Sequence, residues 1–190
     1  MNNSAQKSSE SNETNQTPQE EPLPTAPESL LERLDSLGIS YELHHHEAVF
    51  TVEESRKVDA QIPGTHCRNL FLRDKKKKMH LVVLPNDYNV DMKKLQPVIG
   101  SDRLSFGSPD RLWTYLGVRP GSVCPFSVIN DTEGAVQVIL EESMMQAKTV
   151  NYHPLLNTMT VSLSPQDLLV FLRDCNHEPK ILDLSGARPE

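Results

Sequence analysis

The sequence predicts an α+β domain with a mixed, mostly antiparallel central β-sheet surrounded by helices. Short apolar runs are joined by hairpin-type turns, and helical stretches carrying cap and stop signals cluster between them. Strands linked mainly by hairpins, with clustered helices, indicate α+β.

Residues 28–37 place Leu30, Leu31, Leu34 and Leu37 on one helical face, and Gly38 supplies a stop. Tyr41 to His45 reads as a short strand. Thr51-Val52-Glu53-Glu54 has capping-box spacing and opens a second helix reaching about Ala60. Arg68 to Leu72 and His80 to Leu84 form a hairpin whose tip is Arg73-Asp74-Lys75-Lys76-Lys77-Lys78. Helices follow near 91–98 and 109–116, the second capped by Ser108, started by Pro109 and ended by Gly117. Strands are expected at 126–130 and at 135–140, where Val136, Val138 and Leu140 alternate. Two more near 149–152 and 158–162 flank Asn151 to Thr158. Ser164-Pro165-Gln166-Asp167 caps a last helix through about Arg173, and Ile181 to Leu184 adds a final strand. No internal repeat is visible.

Residues 1–27 are rich in Ser, Asn, Gln, Glu, Thr and Pro, with Leu23 their only large aliphatic residue besides Met1. Such a segment cannot bury enough apolar surface to offset ordering, so it reads as a disordered tail. The organisation expected is a tail at 1–27, one domain at 28–184 and a short extension at 185–190. The tail lacks an apolar core and is not Arg-rich, which argues against a targeting peptide, and no run spans a membrane. The expected location is the cytoplasm. Residues 1–28 carry one Lys and five Glu, so the rest holds only about −3 of the net charge of −7. Binding nucleic acid through bulk charge is thereby excluded, and any RNA contact must use local basic patches. Three widely spaced cysteines (Cys67, Cys124, Cys175) fit reduced thiols.

The most informative stretch is Arg119-Pro120-Gly121-Ser122-Val123-Cys124-Pro125, followed by Phe126 to Thr132. Two prolines stiffen this loop and Gly121 admits a close approach. It is expected to offer backbone N–H groups, with little side-chain bulk, to a small ester carbonyl or carboxylate. Cys124 could serve as a nucleophile if a base such as His153 lay beside it; a small buried Cys filling a packing gap is the simpler reading. His44-His45-His46 looks like a metal cluster, but neighbours on a strand point to opposite faces, so only His44 and His46 could share an ion. No metal or cofactor is expected. The tip Lys75, Lys76, Lys77 and Lys78 is a solvated turn or an RNA contact. Arg68-Asn69, a cation and an amide at a strand entrance, suit a phosphate or ribose. His153, before Pro154 and close to Asn157 and Thr158, lies in a tight polar corner suited to binding.

In this order these segments resemble the YbaK and prolyl-tRNA-synthetase editing-domain superfamily, above all its freestanding prolyl-tRNA deacylase-like branch. The matching segments are Ala48 to Glu54 (with Phe50), Arg68 to Lys77, Arg103-Leu104-Ser105-Phe106, Leu116 to Val123, Pro125-Phe126, Ile129 to Thr132, His153-Pro154-Leu155, Asn157-Thr158 and His177-Glu178-Pro179. The resemblance implies hydrolysis of a mischarged aminoacyl-tRNA, foremost alanyl-tRNA(Pro), without a metal. The family's glycine-x-x-x-proline loop falls on Gly121 to Pro125, its histidine on His153 and its lysine-asparagine pair on Arg68-Asn69. Arg68 replaces the usual lysine, and Cys124 stands where threonine or serine is usual; Arg for Lys is not conservative at a tight site.

The resemblance therefore implies a site in which Gly121, Ser122, Val123, Cys124 and His153 act on the ester. Arg68, Asn69, Phe50, Pro125 and Asn157 would hold the substrate, and Lys75 to Lys78 would contact tRNA. The implied partners are aminoacylated tRNA and prolyl-tRNA synthetase, with no membrane and no DNA. A catalytically impaired tRNA- or synthetase-binding homologue is the alternative, and a thiol hydrolase using Cys124 ranks last.

Overall fold

In the computed structural model, which describes residues 21–49 and 52–189, helix boundaries follow the capping chemistry. Helix α1 (Pro27–Ser36) starts on a proline, buries Leu30 and Leu34, and stops before the left-handed Gly38. Thr51, the expected cap of α2 (Val52–Asp59), lies outside the described residues. Helix α3 (Met92–Ile99) is capped by Asp91, whose carboxylate accepts from the Lys93 and Lys94 amides. In α4 (Pro109–Leu116) Ser108 accepts from the Arg111 amide, and in α5 (Pro165–Asp174) Ser164 accepts from the Asp167 amide. Each such cap contributes about 1 kcal/mol.

The strands are β1 (Tyr41–His45), β2 (Thr65–Arg73), β3 (Met79–Pro85), β4 (Ser105–Phe106), β5 (Val136–Glu141), β6 (Val150–Tyr152), β7 (Met159–Leu163) and β8 (Lys180–Leu182). They form one sheet in the order β1-β7-β6-β2-β3-β5-β8, with β4 beside β2. The pairs β1–β7, β6–β7, β2–β3 and β2–β4 are antiparallel; β2–β6, β3–β5 and β5–β8 are parallel. This is the mixed, mainly antiparallel sheet expected from the sequence. All of β3 is buried, because its two faces serve two cores. Leu81 and Val83 join Leu30, Leu34, Phe126, Val138, Leu140 and Phe171 on one side. Val82 and Leu84 join Leu95, Ile99, Ile139 and Leu184 on the other.

One expected strand is absent. Residues Pro125–Asn130 form a 3₁₀ helix rather than a strand at 126–130. Pro125 lacks the N–H that a ladder needs, and the Ser127 hydroxyl donates to the Cys124 carbonyl at 2.5 Å. Phe126, Ser127 and Val128 are consecutively buried, so no alternation selects a strand. Residues 21–26, grouped with the tail by composition, run along the body. Leu23 packs on the first core, the Thr25 hydroxyl donates to Asn130 Oδ1 at 2.7 Å, and Arg119 donates to the Glu21 carbonyl. At the other end, residues Ser185–Ala187 form a 3₁₀ turn with Ala187 buried in the second core. Among the described residues no helix is long and apolar enough to cross a membrane.

The Asp131 carboxylate ties the turn after the 3₁₀ helix to the C-terminal segment. It accepts from the Ala135 amide at 3.0 Å and the Val136 amide at 2.7 Å, and lies 2.9 Å from His177 Nε2. The group is buried, so removing it strands three polar partners. Asp131→Ala is expected to cost about 3 kcal/mol in urea unfolding; a loss below about 1 kcal/mol would contradict this role.

Candidate active site

A gap in the sheet creates the site. Strand β2 pairs with β6 over only two residues, Thr65↔Val150 and His66↔Asn151. Strand β6 then ends, since Pro154 cannot donate to a ladder and Leu155 turns left-handed at φ 69°. Further along the same edge, β2 pairs with β4 at Leu72↔Phe106 and Arg73↔Ser105. The edge between has no strand neighbour, and a cavity of about 260 Å³ opens there. Its walls include Cys67, Arg68 and Asn69 of β2, Tyr152 at the end of β6 and His153 after it, Gly121 and Val123 of the proline-flanked loop, and Asp59 of α2.

The His153 ring is oriented by its own turn. Nδ1 lies 2.8 Å from the Met159 carbonyl, which can only accept, so the proton sits on Nδ1 and Nε2 keeps its lone pair. Burial pushes its pKa below the ordinary histidine value. His46 and His66 add to this shift, against the Met159 carbonyl and Asp59. Arg68 donates to the Tyr88 carbonyl, while its Nε is buried without a partner, as is Asn69 Oδ1. Burial lowers the Arg68 pKa. Such orphaned polar atoms are uncommon, and these two belong to neighbouring residues that line the cavity.

The rest of the wall is a polar ladder. His66 Nδ1 lies 3.0 Å from Asp59 Oδ1 and its Nε2 lies 2.7 Å from the Ile62 carbonyl, which fixes the end of α2 against β2. Asn86 donates to the other Asp59 oxygen at 2.9 Å. On the next strands the Ser162 hydroxyl donates to Asn151 Oδ1 at 2.6 Å, and His44 Nε2 lies 3.1 Å from that hydroxyl. His46 Nε2 lies 3.0 Å from the Thr160 hydroxyl, and its ring centroid is 5.8 Å from that of His153. His44 and His46 thus each meet a β7 hydroxyl, and among the described residues no three His, Cys, Asp or Glu side chains are grouped to hold a metal.

The structure brings Arg68, Asn69, Gly121, Val123 and His153 to one cavity. Phe50 lies outside the described residues. The Ser122 amide is not open to a ligand: it donates to the Arg119 carbonyl at 3.0 Å and closes the turn. The Cys124 side chain is 0 % exposed and faces the first core, and burial pushes its thiol up to about 11. That is the environment of a packing residue, not of a nucleophile. Pro125 is buried at the start of the 3₁₀ helix. Asn157 stands behind the loop: its amide donates to the Val49 carbonyl at 2.9 Å, and a Cβ on Gly121 would come 3.9 Å from it. Gly121 itself holds φ 91°, a conformation that side chains disfavour. Lys75 to Lys78 occupy the far end of the hairpin, about 23 Å from Arg68 at the strand rise per residue. Sequence reading passed over Asp59, His66, Asn151 and Thr160. The one available signal was His66, two residues before Arg68 and so on the same strand face.

With this geometry in hand, residues 46–171 match the family described as the aminoacyl-tRNA editing domain. The chain belongs to that family. The editing domain is 39% identical over 160 residues to the prolyl-tRNA editing protein ProX of Acetoanaerobium sticklandii, covering 84% of this chain and 98% of that protein. It is 35% identical over 159 residues to the prolyl-tRNA synthetase associated domain-containing protein 1 of Mus musculus, covering 81% and 94%. Its fold matches a crystal structure proposed to be a trans-editing enzyme for prolyl tRNA synthetase, with TM-score 0.63, 15% identity, and 84% and 98% coverage. The expected superfamily and fold are thereby established.

The tautomer of His153 is directly measurable. Long-range ¹⁵N–¹H NMR of the editing domain should show the Nδ1-protonated form, titrating below the usual value of about 6.5. Because the folded state resists protonation, this ring makes stability fall as pH drops below that value. A midpoint at or above it would contradict the burial of the ring.

Proposed function

We propose that this editing domain is a trans-editing aminoacyl-tRNA deacylase acting on mischarged tRNA, with alanyl-tRNA(Pro) as its substrate. The observation that carries the reading is the convergence of Arg68, Asn69, Gly121, Val123 and His153 on one small cavity. The likeness to ProX, a prolyl-tRNA editing protein, and to the mouse protein, which contains a prolyl-tRNA synthetase associated domain, supports prolyl-tRNA as the substrate class and prolyl-tRNA synthetase as the associated enzyme. An aminoacyl ester is already activated, so the site needs mainly a placed water and donors for the developing oxyanion. In this mechanism the amides of Gly121 and Val123 face the ester carbonyl. Water adds to that carbon, the bond to the ribose oxygen breaks, and free amino acid leaves. The water's proton passes through His153 Nε2, or through the neighbouring ribose hydroxyl, to the departing oxygen. Arg68 and Asn69 orient the terminal adenosine, and Lys75 to Lys78 contact the tRNA. No step uses a metal.

Size supplies the selectivity. A synthetase pocket built for proline cannot strongly reject the smaller alanine, since a few missing carbons are worth only about 1–3 kcal/mol each. A second, smaller site can remove the error. Purified protein offered alanine-, cysteine- and serine-charged tRNA(Pro) should release alanine fastest. His153→Ala and Gly121→Val should each lower that rate at least about tenfold, in the range of a lost acid–base or oxyanion contact. Cys124→Ser should leave it within about threefold, because the thiol stays protonated at neutral pH. Unchanged rates in both cavity variants would refute the mechanism.

The Arg68 contact with the Tyr88 carbonyl favours one second reading, a homologue that binds tRNA or synthetase with impaired turnover. There the guanidinium is held by the protein rather than offered to substrate. Arg68→Lys separates the two, because the second reading expects activity to appear or rise.

A further inference from the structure

Strand β4 is only two residues long, yet its position is tightly fixed. It pairs with β2 through Leu72↔Phe106 and Arg73↔Ser105, and the Gly107 amide donates to the Phe71 carbonyl at 2.9 Å. A Cβ at Gly107 would lie 2.4 Å from Phe71 Cδ1, so only glycine allows this approach. The clamp leaves Phe106 66 % exposed, the most exposed large apolar side chain among the described residues. A single exposed phenylalanine is unremarkable by itself. Its surroundings are what give it meaning.

Next to it along β2 and its hairpin stand Arg73, Lys75, Lys76, Lys77 and Lys78, and Arg103 lies two residues before β4. The two carboxylates within this set are already committed. Asp74 is buried and accepts from the Lys78 amide at 2.9 Å, and Asp102 pairs with Lys76 at 3.1 Å. In a chain of net charge −7 this is a concentrated cationic surface built around an aromatic ring. It also lies on the same edge of β2 as the cavity. From Asn69 to the Leu72–Phe106 pair is three residues, about 10 Å along the strand.

We propose that Phe106 is a stacking platform for an unpaired base in the 3′ end of the tRNA, with Arg73, Arg103 and the lysine tip holding the flanking phosphates. This rests on the reading of the cavity as an aminoacyl-tRNA site, and extends it from the ester to the nucleotides before it. Aromatic side chains stack any base, and a basic track follows the backbone, which is how single strands are held without sequence readout. The ester enters the gap in the sheet, and the strand that carries it runs along the β2 edge to β4.

The test uses full-length protein and an uncharged RNA minihelix with 2-aminopurine in its unpaired 3′ segment. Wild-type protein should quench the fluorescence on binding, and Phe106→Trp should preserve the quench. Phe106→Ala and Phe106→Leu should abolish it and weaken binding about fivefold or more. Arg103→Ala should weaken binding and make it less salt-dependent. Hydrolysis of an aminoacyl-adenosine ester, which lacks the preceding nucleotides, should be unchanged in all four variants. Wild-type affinity in Phe106→Leu would overturn stacking in favour of simple apolar contact, and wild-type affinity in Phe106→Ala, or no RNA binding by any form, would overturn the platform. Because the minihelix is uncharged, quenching without any deacylation would retain the platform and reject the deacylase reading.

Discussion

The site depends on β2 losing its partner. Two residues of parallel pairing with β6 hold the sheet together at Thr65 and His66, and then the neighbouring chain turns away at Pro154. An interior strand with an unpaired edge exposes backbone groups that burial would penalise. The gap persists because both of its ends are tied, by β6 at one and by β4 at the other. Its far wall is held by a single ring: Phe126 meets Phe171 edge-on at 5.2 Å and Tyr152 at 6.0 Å. Each such aromatic pair contributes about 0.5–1.5 kcal/mol beyond area burial. Phe126 follows the loop by one residue, so this packing anchors Gly121 to Pro125 against β6 and α5.

The electrostatics of the cavity follow from the same arrangement. Several polar groups on its walls already have partners: Asp59 meets His66 and Asn86, and Asn151 accepts from Ser162 behind the wall. Bonded polar groups of this kind hold that part of the wall rigid. What is left over is small and directional: the Nε2 lone pair of His153, the Asn69 oxygen and the Arg68 Nε. The two side-chain thiols nearest the site are silent. Burial raises Cys67 to about 12 and Cys124 to about 11, so neither supplies a thiolate at neutral pH.

Much of this was legible in the chain. Helix limits at Ser108, Ser164 and Gly38 could be read because capping is local chemistry. Arg68, Gly121 and His153 could be singled out by their turn and proline neighbours, and the structure places all three on one cavity. The 3₁₀ helix at Pro125 was hidden because Phe126, Val128 and Ile129 have strand propensity, which the proline and the Ser127 back-bond override. The buried state of Cys124 was visible only as one of two readings. Asp59 was unreadable for a different reason. Its pairing with His66 joins the end of a helix to a strand across a loop, and no spacing rule encodes that contact.

A strand also fixes distance, and that has a functional consequence. β2 carries Arg68 and Asn69 at one end and leads into the lysine tip at the other, with Phe106 paired between them. Loops would let these groups drift, whereas a hydrogen-bonded hairpin holds them in a set register. A polyanion that reaches both ends is therefore measured as well as bound. On the proposed reading, nucleotides that follow the β2 edge would bring the ester to the cavity in a set orientation, so RNA contacts and placement of the carbonyl would reinforce one another. In the proposed mechanism such coupling would let a cavity with few reactive side chains act selectively, because an activated ester needs orientation more than a strong nucleophile.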